Sequence, residues 1–213
     1  MIVLSLGAGV QSSTVLLMSC RGELPKIDHA IFADTGWEPK AVYTHLDWLE
    51  SEAGKKGIAT HRVSNGNLRE DALSDGRAAS MPYFLSNGGT VQRQCTSEYK
   101  IVPVKRRIAQ ILGIAPGHRW PTAPVVDLWF GISVDEAQRM RDPDGKWKRH
   151  VYPLIELLPK RYTRQMCLQW LEANYPGVDV PRSACIGCPF HSDTEWRRIK
   201  ASPEEWADAV QFE

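Results

Sequence analysis

Ile2 to Leu6 is an apolar run of strand length that breaks into Gly7-Ala8-Gly9-Val10-Gln11-Ser12-Ser13, and Ser12 to Met18 resumes as an apolar, helix-like segment. A strand, a loop of small residues and a helix in direct succession form the opening half of a βαβ unit. Such units imply parallel strands with helices packed on them. The pattern repeats. His29 to Ala33 ends at Asp34-Thr35-Gly36; Pro39 then sits where a first helical turn tolerates proline, and Val42, Leu46 and Leu49 follow at helical spacing. Ile58 to Val63 reads as a third strand, and Val125 to Ile132 (VVDLWFGI), β-branched and aromatic, is the most strand-like run of all.

Helical spacing recurs over Lys100 to Leu112, through Val104, Ile108, Ile111 and Leu112, and again at Met166, Cys167, Trp170 and Leu171. Three Ser-x-x-Glu pairs mark helix starts: Ser133 with Glu136, Ser192 with Glu195, and Ser202 with Glu205, the last followed by Pro203; the final helix runs from Glu204 to Phe212. The expected fold is α/β, a doubly wound, mainly parallel sheet in one domain over residues 1–213, with a cysteine-bearing, helical C-terminal segment over 176–213. Ligands in such sheets bind beyond the carboxyl ends of the strands, where Gly7 to Ser13 and Asp34 to Trp37 fall. Residues 76–99 lack a clear period and contain the turn signal Asn87-Gly88-Gly89, so a functional loop or short hairpin carrying Cys95 is expected there.

Composition narrows the setting. No basic, apolar leader precedes the first strand and no apolar run reaches spanning length, so the expectation is a cytoplasmic protein that keeps its thiols reduced. A formal net charge of +1 gives no argument for nucleic acid or a membrane surface, and the basic clusters Lys105-Arg106-Arg107, Lys146 to His150 and Lys160-Arg161 read as solvated faces. Three of the five cysteines are spaced like a metal site: Cys95 in QCTSEYK and Cys185-x-x-Cys188 in ACIGCPFH. An iron–sulfur centre and a structural zinc both fit that spacing, the zinc with His191 as its fourth ligand, and unligated, buried thiols are the third reading, against which Pro189 after the pair and the polar context of Cys95 argue. Cys20 and Cys167 lie on or beside apolar helix faces and read as core. Of the eight tryptophans, Trp129 and Trp170 read as core, whereas Trp37, Trp120 and Trp147 fall in loops where a base could stack.

The Gly7 to Ser13 loop places glycines and serine hydroxyls between a strand and a helix, where backbone amides and the positive helix end hold phosphate oxygens. It lacks the Gly-Lys-Ser/Thr ending of a Walker loop and is not G-x-G-x-x-G. In order along the chain, this loop, FADTGWE (32–38), CTSEYKIVPVKRRI (95–108), GISVDEAQRMR (131–141), YPLIELLPKRYTRQMCLQWL (152–171) and CIGCP (185–189) resemble the phosphoadenosine-phosphosulfate (PAPS) reductase-like family of PP-loop enzymes, which share the adenine nucleotide alpha hydrolase-like fold. The resemblance implies that Ser5, Gly7, Ala8, Gly9, Val10, Gln11, Ser12, Ser13, Asp34, Thr35, Gly131 and Ile132 meet an adenine nucleotide, and that Lys100, Arg106 and Arg139 neutralise phosphate or substrate.

Departures from the family pattern sharpen the expectation. The loop's Asp is Gln11, a neutral amide and a poor magnesium ligand, and its leading Ser is Gly7, which leaves a Mg requirement open. The Cys-Cys pair of four-cysteine reductases is here Gln94-Cys95, and the reductases' cysteine-bearing tail does not appear in this sequence. The resemblance to three-cysteine, ATP-dependent sulfur-transfer enzymes implies a [4Fe–4S] cluster on Cys95, Cys185 and Cys188 with one iron open to carry sulfide. The expected activity is adenylation of a substrate by ATP followed by thiolation. The acceptor is left open between a nucleobase in tRNA or DNA and a small molecule, and the sulfur donor or thiol reductant is not specified by the sequence. Two alternatives stand beside it: reduction of adenylyl sulfate or PAPS to sulfite, and a zinc-stabilised nucleotide-binding module without catalysis.

Overall fold

The computed structural model describes residues 1–74, 81–82, 89 and 94–212. Five parallel strands form one sheet: β1 (Ile2–Leu6), β2 (His29–Asp34), β3 (Ala59–Ser64), β4 (Val126–Phe130) and β5 (Lys148–Val151), in the order β3-β2-β1-β4-β5. The chain therefore reverses its direction of travel between β1 and β4, and the crevice at that switch point opens beyond the carboxyl ends of the two strands.

Alternation along each strand divides the core. Leu4 and Leu6 of β1, Ala30 and Phe32 of β2 and Trp129 of β4 face one side, where α1 (Val10–Arg21), α2 (Lys40–Gly54) and α6 (Arg164–Asn174) cover them with Leu16, Leu17, Leu46, Leu49 and Leu171. Val3, Ile31, Ala33, Val126 and Leu128 face the other, under Val104 and Ile108 of α4 (Val102–Ile111). Truncating a fully buried leucine such as Leu16 removes about 2–5 kcal/mol from such a core. The doubly wound parallel architecture is thus as expected.

A third cluster sits off the sheet. Trp37, Leu68 of α3 (Leu68–Leu73), Tyr99, Cys185, Ile186, Ile199 of α7 (Asp193–Lys200) and Ala209 of α8 (Pro203–Phe212) pack together, with Cys95, Trp196, Trp206 and Phe212 at its margin. This cluster fixes the C-terminal segment beside the loop that follows β2.

Several expectations need correction. The β4 run is shorter than Val125 to Ile132, because the chain turns at Gly131. The helix expected over Lys100 to Leu112 is two pieces, a widened π-helical turn over Thr96–Ile101 and then α4, with Pro103 in the first turn of α4. Ser133 does not cap with its side chain; a short 3₁₀ turn, Val134–Arg139, follows it. Ser192 does cap, its hydroxyl accepting from Glu195 N at 3.4 Å. Within Lys146 to His150, Lys146 and Arg149 are exposed as expected, Arg149 pairing with Asp127 of β4 at 2.6 Å, but Lys148 begins β5 with a buried side chain held by Asp144. Trp37 and Trp147 are buried core residues, and Trp120 stacks on Trp147 with ring centroids 4.2 Å apart, so neither loop tryptophan of that pair presents a bare face. The turn expected at Asn87-Gly88-Gly89, and most of the 76–99 loop, lie outside the described residues; Cys95 itself sits at the start of the Thr96–Ile101 turn. Among the described residues no helix is long and apolar enough to cross a membrane.

Candidate functional site

The loop between β1 and α1 occupies the switch point. Gly9 caps α1 with extended dihedrals and no side-chain hydrogen bond, and the first turn of the helix carries no acidic residue. The amides that open a helix have no partner within it, so those of Val10, Gln11 and Ser12 are the groups an anion would use. Ala8 holds φ at +54°, the left-handed region that a side chain resists, which turns the chain sharply into the helix. Ser12 Oγ braces the turn, accepting from Gly7 N and donating to Gly9 O, both at 3.2 Å.

β4 closes against this turn through Gly131. A β-carbon there would stand 2.5 Å from Ser12 N and 2.6 Å from Ser12 Cα, so only hydrogen fits between the end of β4 and the first turn of α1. Beyond Gly131, Ser133 Oγ and Glu136 Oε2 both accept from Gln11 Nε2, at 3.3 and 3.0 Å, and Arg139 pairs with the same Glu136 oxygen at 2.7 Å. The Gln11 amide is therefore occupied by its own neighbours, and Glu136 brings a carboxylate to the rim of the loop. That carboxylate is already neutralised by Arg139, so it does not make a built magnesium site.

The remaining sequence-predicted residues divide. Ser13 points away: its hydroxyl meets His45 Nε2 at 2.9 Å in the core, and its amide donates to Gly9 O at 2.9 Å. Burial pushes the His45 imidazole down to about 4. Asp34 Oδ1 accepts from Gly36 N and from Tyr43 Oη, each at 2.8 Å, which makes it the cap of the turn after β2. Burial and that carboxylate hold the Tyr43 phenol well above its ordinary value. Ser5 pairs in register with Phe130 inside the sheet, and Ile132 and Val10 are buried beside the loop. Arg106 lies away from the loop, with Asn65 Oδ1 3.2 Å from its guanidinium at the end of β3.

Thr35 and Lys100 belong to the cysteines. Thr35 Oγ1 stands 3.2 Å from Cys185 Sγ and 3.2 Å from Glu38 Oε1, while Lys100 Nζ reaches that same carboxylate oxygen at 3.5 Å. Glu38 is 3% exposed and its Oε2 has no hydrogen-bond partner. Burial, reinforced by the Glu38 carboxylate, pushes the Cys185 thiol up to about 12. Burial draws the Lys100 ammonium down, but Glu38 and the sulfurs of Cys185 and Cys95 outweigh it and leave its pKa raised.

Gly187, inside the cysteine pair, is pressed onto Trp37: a β-carbon there would meet the indole at 2.2 Å, and Ile186 N donates to Trp37 O at 2.9 Å. His191 Nε2 faces the carbonyl oxygens of Cys185 and Ile186, at 2.8 and 3.2 Å, which stiffens the turn; its Nδ1 is buried without a partner. Soft thiolates suit iron–sulfur or zinc chemistry. Their placement does not: among the described residues no group of three or more His, Cys, Asp or Glu side chains is arranged to hold a metal ion. Cys95, Cys185 and Cys188, with or without His191, share a neighbourhood but do not form a ligand set as they stand.

One segment joins the two halves. Ser183 lies over the loop, its Cβ and N at 3.5 and 3.6 Å from where a Gly9 β-carbon would be and its Oγ 3.9 Å from the equivalent point on Gly7. Two residues later the chain reaches Cys185. The sequence carried no signal for Ser183 or His45; Glu38 stood inside the FADTGWE segment and Gly187 inside CIGCP, where a glycine between two cysteines was the available clue.

No family model matches the chain, and no curated protein matches it. Among solved structures it is similar to a phosphoadenylyl-sulfate (PAPS) reductase from Candida auris, determined as a phosphate complex, with a TM-score of 0.51 at 15% identity, covering 85% of this chain and 74% of that one. At that identity the likeness defines the fold: this is a PAPS reductase-like α/β fold.

Proposed function

We propose that the chain is an enzyme that binds ATP at the Gly7 to Ser12 loop, adenylates a substrate oxygen and replaces that oxygen with sulfur, releasing pyrophosphate and AMP. The observation that supports the reading is Ser183, two residues before Cys185, which lies against Gly7 and Gly9. A phosphate loop alone supports nucleotide binding; a phosphate loop roofed by a cysteine segment supports sulfur chemistry on an adenylylated group.

In this reading the amides of Val10, Gln11 and Ser12 and the helix dipole hold phosphate oxygens. Gly131 keeps β4 close enough for the Gln11–Glu136–Arg139 network to rim the loop. A carbonyl oxygen of the substrate attacks the α-phosphorus, forming an O–P bond as the bond to pyrophosphate breaks. Sulfur at the sulfide oxidation level then adds to the same carbon; the C–S bond forms, the C–O bond breaks, AMP leaves with the oxygen, and the proton of hydrosulfide passes to solvent. No electrons change hands, so no reductant is needed. Lys100, paired with Glu38 at 3.5 Å, sets a cation beside the cysteine turn where an anionic group of the substrate could be met. The acceptor is a nucleobase or a small molecule with an exchangeable carbonyl oxygen. Because the three cysteines do not form a ligand set as placed, no step is routed through a cluster or a zinc ion.

The PAPS reductase likeness supports a second reading, in which an adenylyl sulfate brings its own sulfur and is reduced to sulfite by a thiol. Two assays on protein purified without oxygen separate them: pyrophosphate release from ATP with candidate acceptors, and sulfite release from adenylyl sulfate or PAPS with a dithiol. Protein that neither binds ATP nor releases pyrophosphate refutes the first reading; sulfite formation establishes the second.

A further inference from the structure

A second polar cleft lies at the free edge of the sheet. It measures about 520 Å³ and runs between β3 and α4, bounded by Thr60 to Ser64 on the strand and by Pro103, Arg106, Arg107 and Gln110 on the helix. Two strand spacings, about 10 Å, separate β3 from β1 and the phosphate loop.

The charges in this cleft are unbalanced. Arg62, on the strand, is held by Glu50 at 2.7 Å and by Asp47. Arg106 and Arg107 have no carboxylate among the described residues. Arg106 donates to Asn65 Oδ1 at 3.2 Å; Arg107 sends Nε and one terminal nitrogen to His61 Nδ1, at 3.2 and 2.9 Å, and the other terminal nitrogen to Gln110 Oε1 at 3.0 Å. Because His61 Nδ1 accepts from Arg107, its ring proton sits on Nε2 and is donated to His29 Nδ1 at 3.0 Å. Burial first, then Arg107 and His29, lowers the His61 pKa; an imidazole in either protonation state offers no negative charge to offset the guanidiniums. No acidic side chain among the described residues lines the cleft. Guanidinium forks of this kind match the geometry of a tetrahedral oxyanion.

We propose that the cleft between β3 and α4 is a phosphate-binding site, separate from the adenylyl site and independent of the function assigned to it. Arg106 and Arg107 grip the phosphate, and the His29–His61 pair fixes Arg107 from behind. The phosphate comes from a small-molecule monoester or from a nucleic-acid backbone.

The test reads the site itself. The imidazole ¹H–¹⁵N resonances of His61 and His29 are followed in the full chain while it is titrated with inorganic phosphate, with ribose 5-phosphate, and with a single-stranded oligonucleotide of about ten residues lacking terminal phosphate. At least one probe is expected to shift both rings saturably. R106Q, which alters an exposed side chain bonded only to Asn65, should weaken that probe about tenfold, and R106Q/R107Q should abolish the shift. Tighter binding of the monoester assigns a small molecule; tighter, steeply salt-dependent binding of the oligonucleotide assigns a backbone. Rings unmoved by all three probes, or moved equally in the double variant, overturn the proposal.

Discussion

Gly131→Ala tests whether the close approach of β4 to α1 builds the phosphate loop. The added methyl carbon would lie 2.5 Å from Ser12 N, 2.6 Å from Ser12 Cα and 2.8 Å from Gln11 C, all backbone atoms that cannot rotate aside. Restoring ordinary contact requires either the end of β4 or the first turn of α1 to move by about 1 Å, and overpacking on that scale costs about 1–3 kcal/mol. For a chain of this size each kcal/mol shifts the melting temperature by about 2–4 °C, so a loss of about 2–12 °C is expected in thermal unfolding followed by circular dichroism. The same displacement moves the amides of Gln11 and Ser12 out of line with the phosphate, and misplacement by about 1 Å can cost about a hundredfold in rate. ATP affinity by calorimetry should fall at least about tenfold. A variant that melts with the wild type and binds ATP equally well would refute the argument that Gly131 positions the loop.

Three further outcomes follow from the same structure. Gly187→Ala drives a methyl group into the Trp37 indole, which Asp208 and Phe212 hold in place, so limited proteolysis should cut the segment after Val180 faster than in the wild type. The His45 pKa of about 4 lies below its ordinary value, so the unfolded chain takes up the proton first as pH falls. Stability should therefore drop from about pH 6.5 to about pH 4, by up to about 1.4 kcal/mol per pH unit from this group, and His45→Gln should flatten that slope in denaturant titrations. Lys100→Met leaves the buried Glu38 carboxylate with no cation at 3.5 Å, and should destabilise the chain by about 2–3 kcal/mol near neutral pH, the low end for such pairs because Lys100 is a third exposed.

The sheet was legible because apolar alternation carries it: Leu4, Leu6 and Phe32 against Val3 and Ile31 are enough to place β1 and β2 with a helix layer on each face. β5 was not, because an edge strand needs few apolar residues and this one carries paired charges, Lys148 buried against Asp144 and Arg149 on the surface with Asp127. The loop between β1 and α1 was legible from its small residues at a strand end. Its partner interactions were not, since Gln11 meets Ser133 and Glu136 across more than a hundred residues and no local signal reports such a contact. Thr35 was grouped with the nucleotide through the family resemblance of FADTGWE; folding turns it toward Cys185 and Glu38.

The central claim is that the loop between β1 and α1 is an adenylyl-nucleotide site roofed by the cysteine segment. Backbone amide resonances of Gly7 to Ser12, followed together with those of Ser183 and Cys185 during an ATP titration of anaerobically purified protein, test it directly. The account predicts that both sets shift with one shared dissociation constant, and that this constant rises at least about tenfold for both sets together in Gly131→Ala. Saturable ATP binding that leaves the Gly7 to Ser12 amides unmoved, or no binding at all, would contradict it.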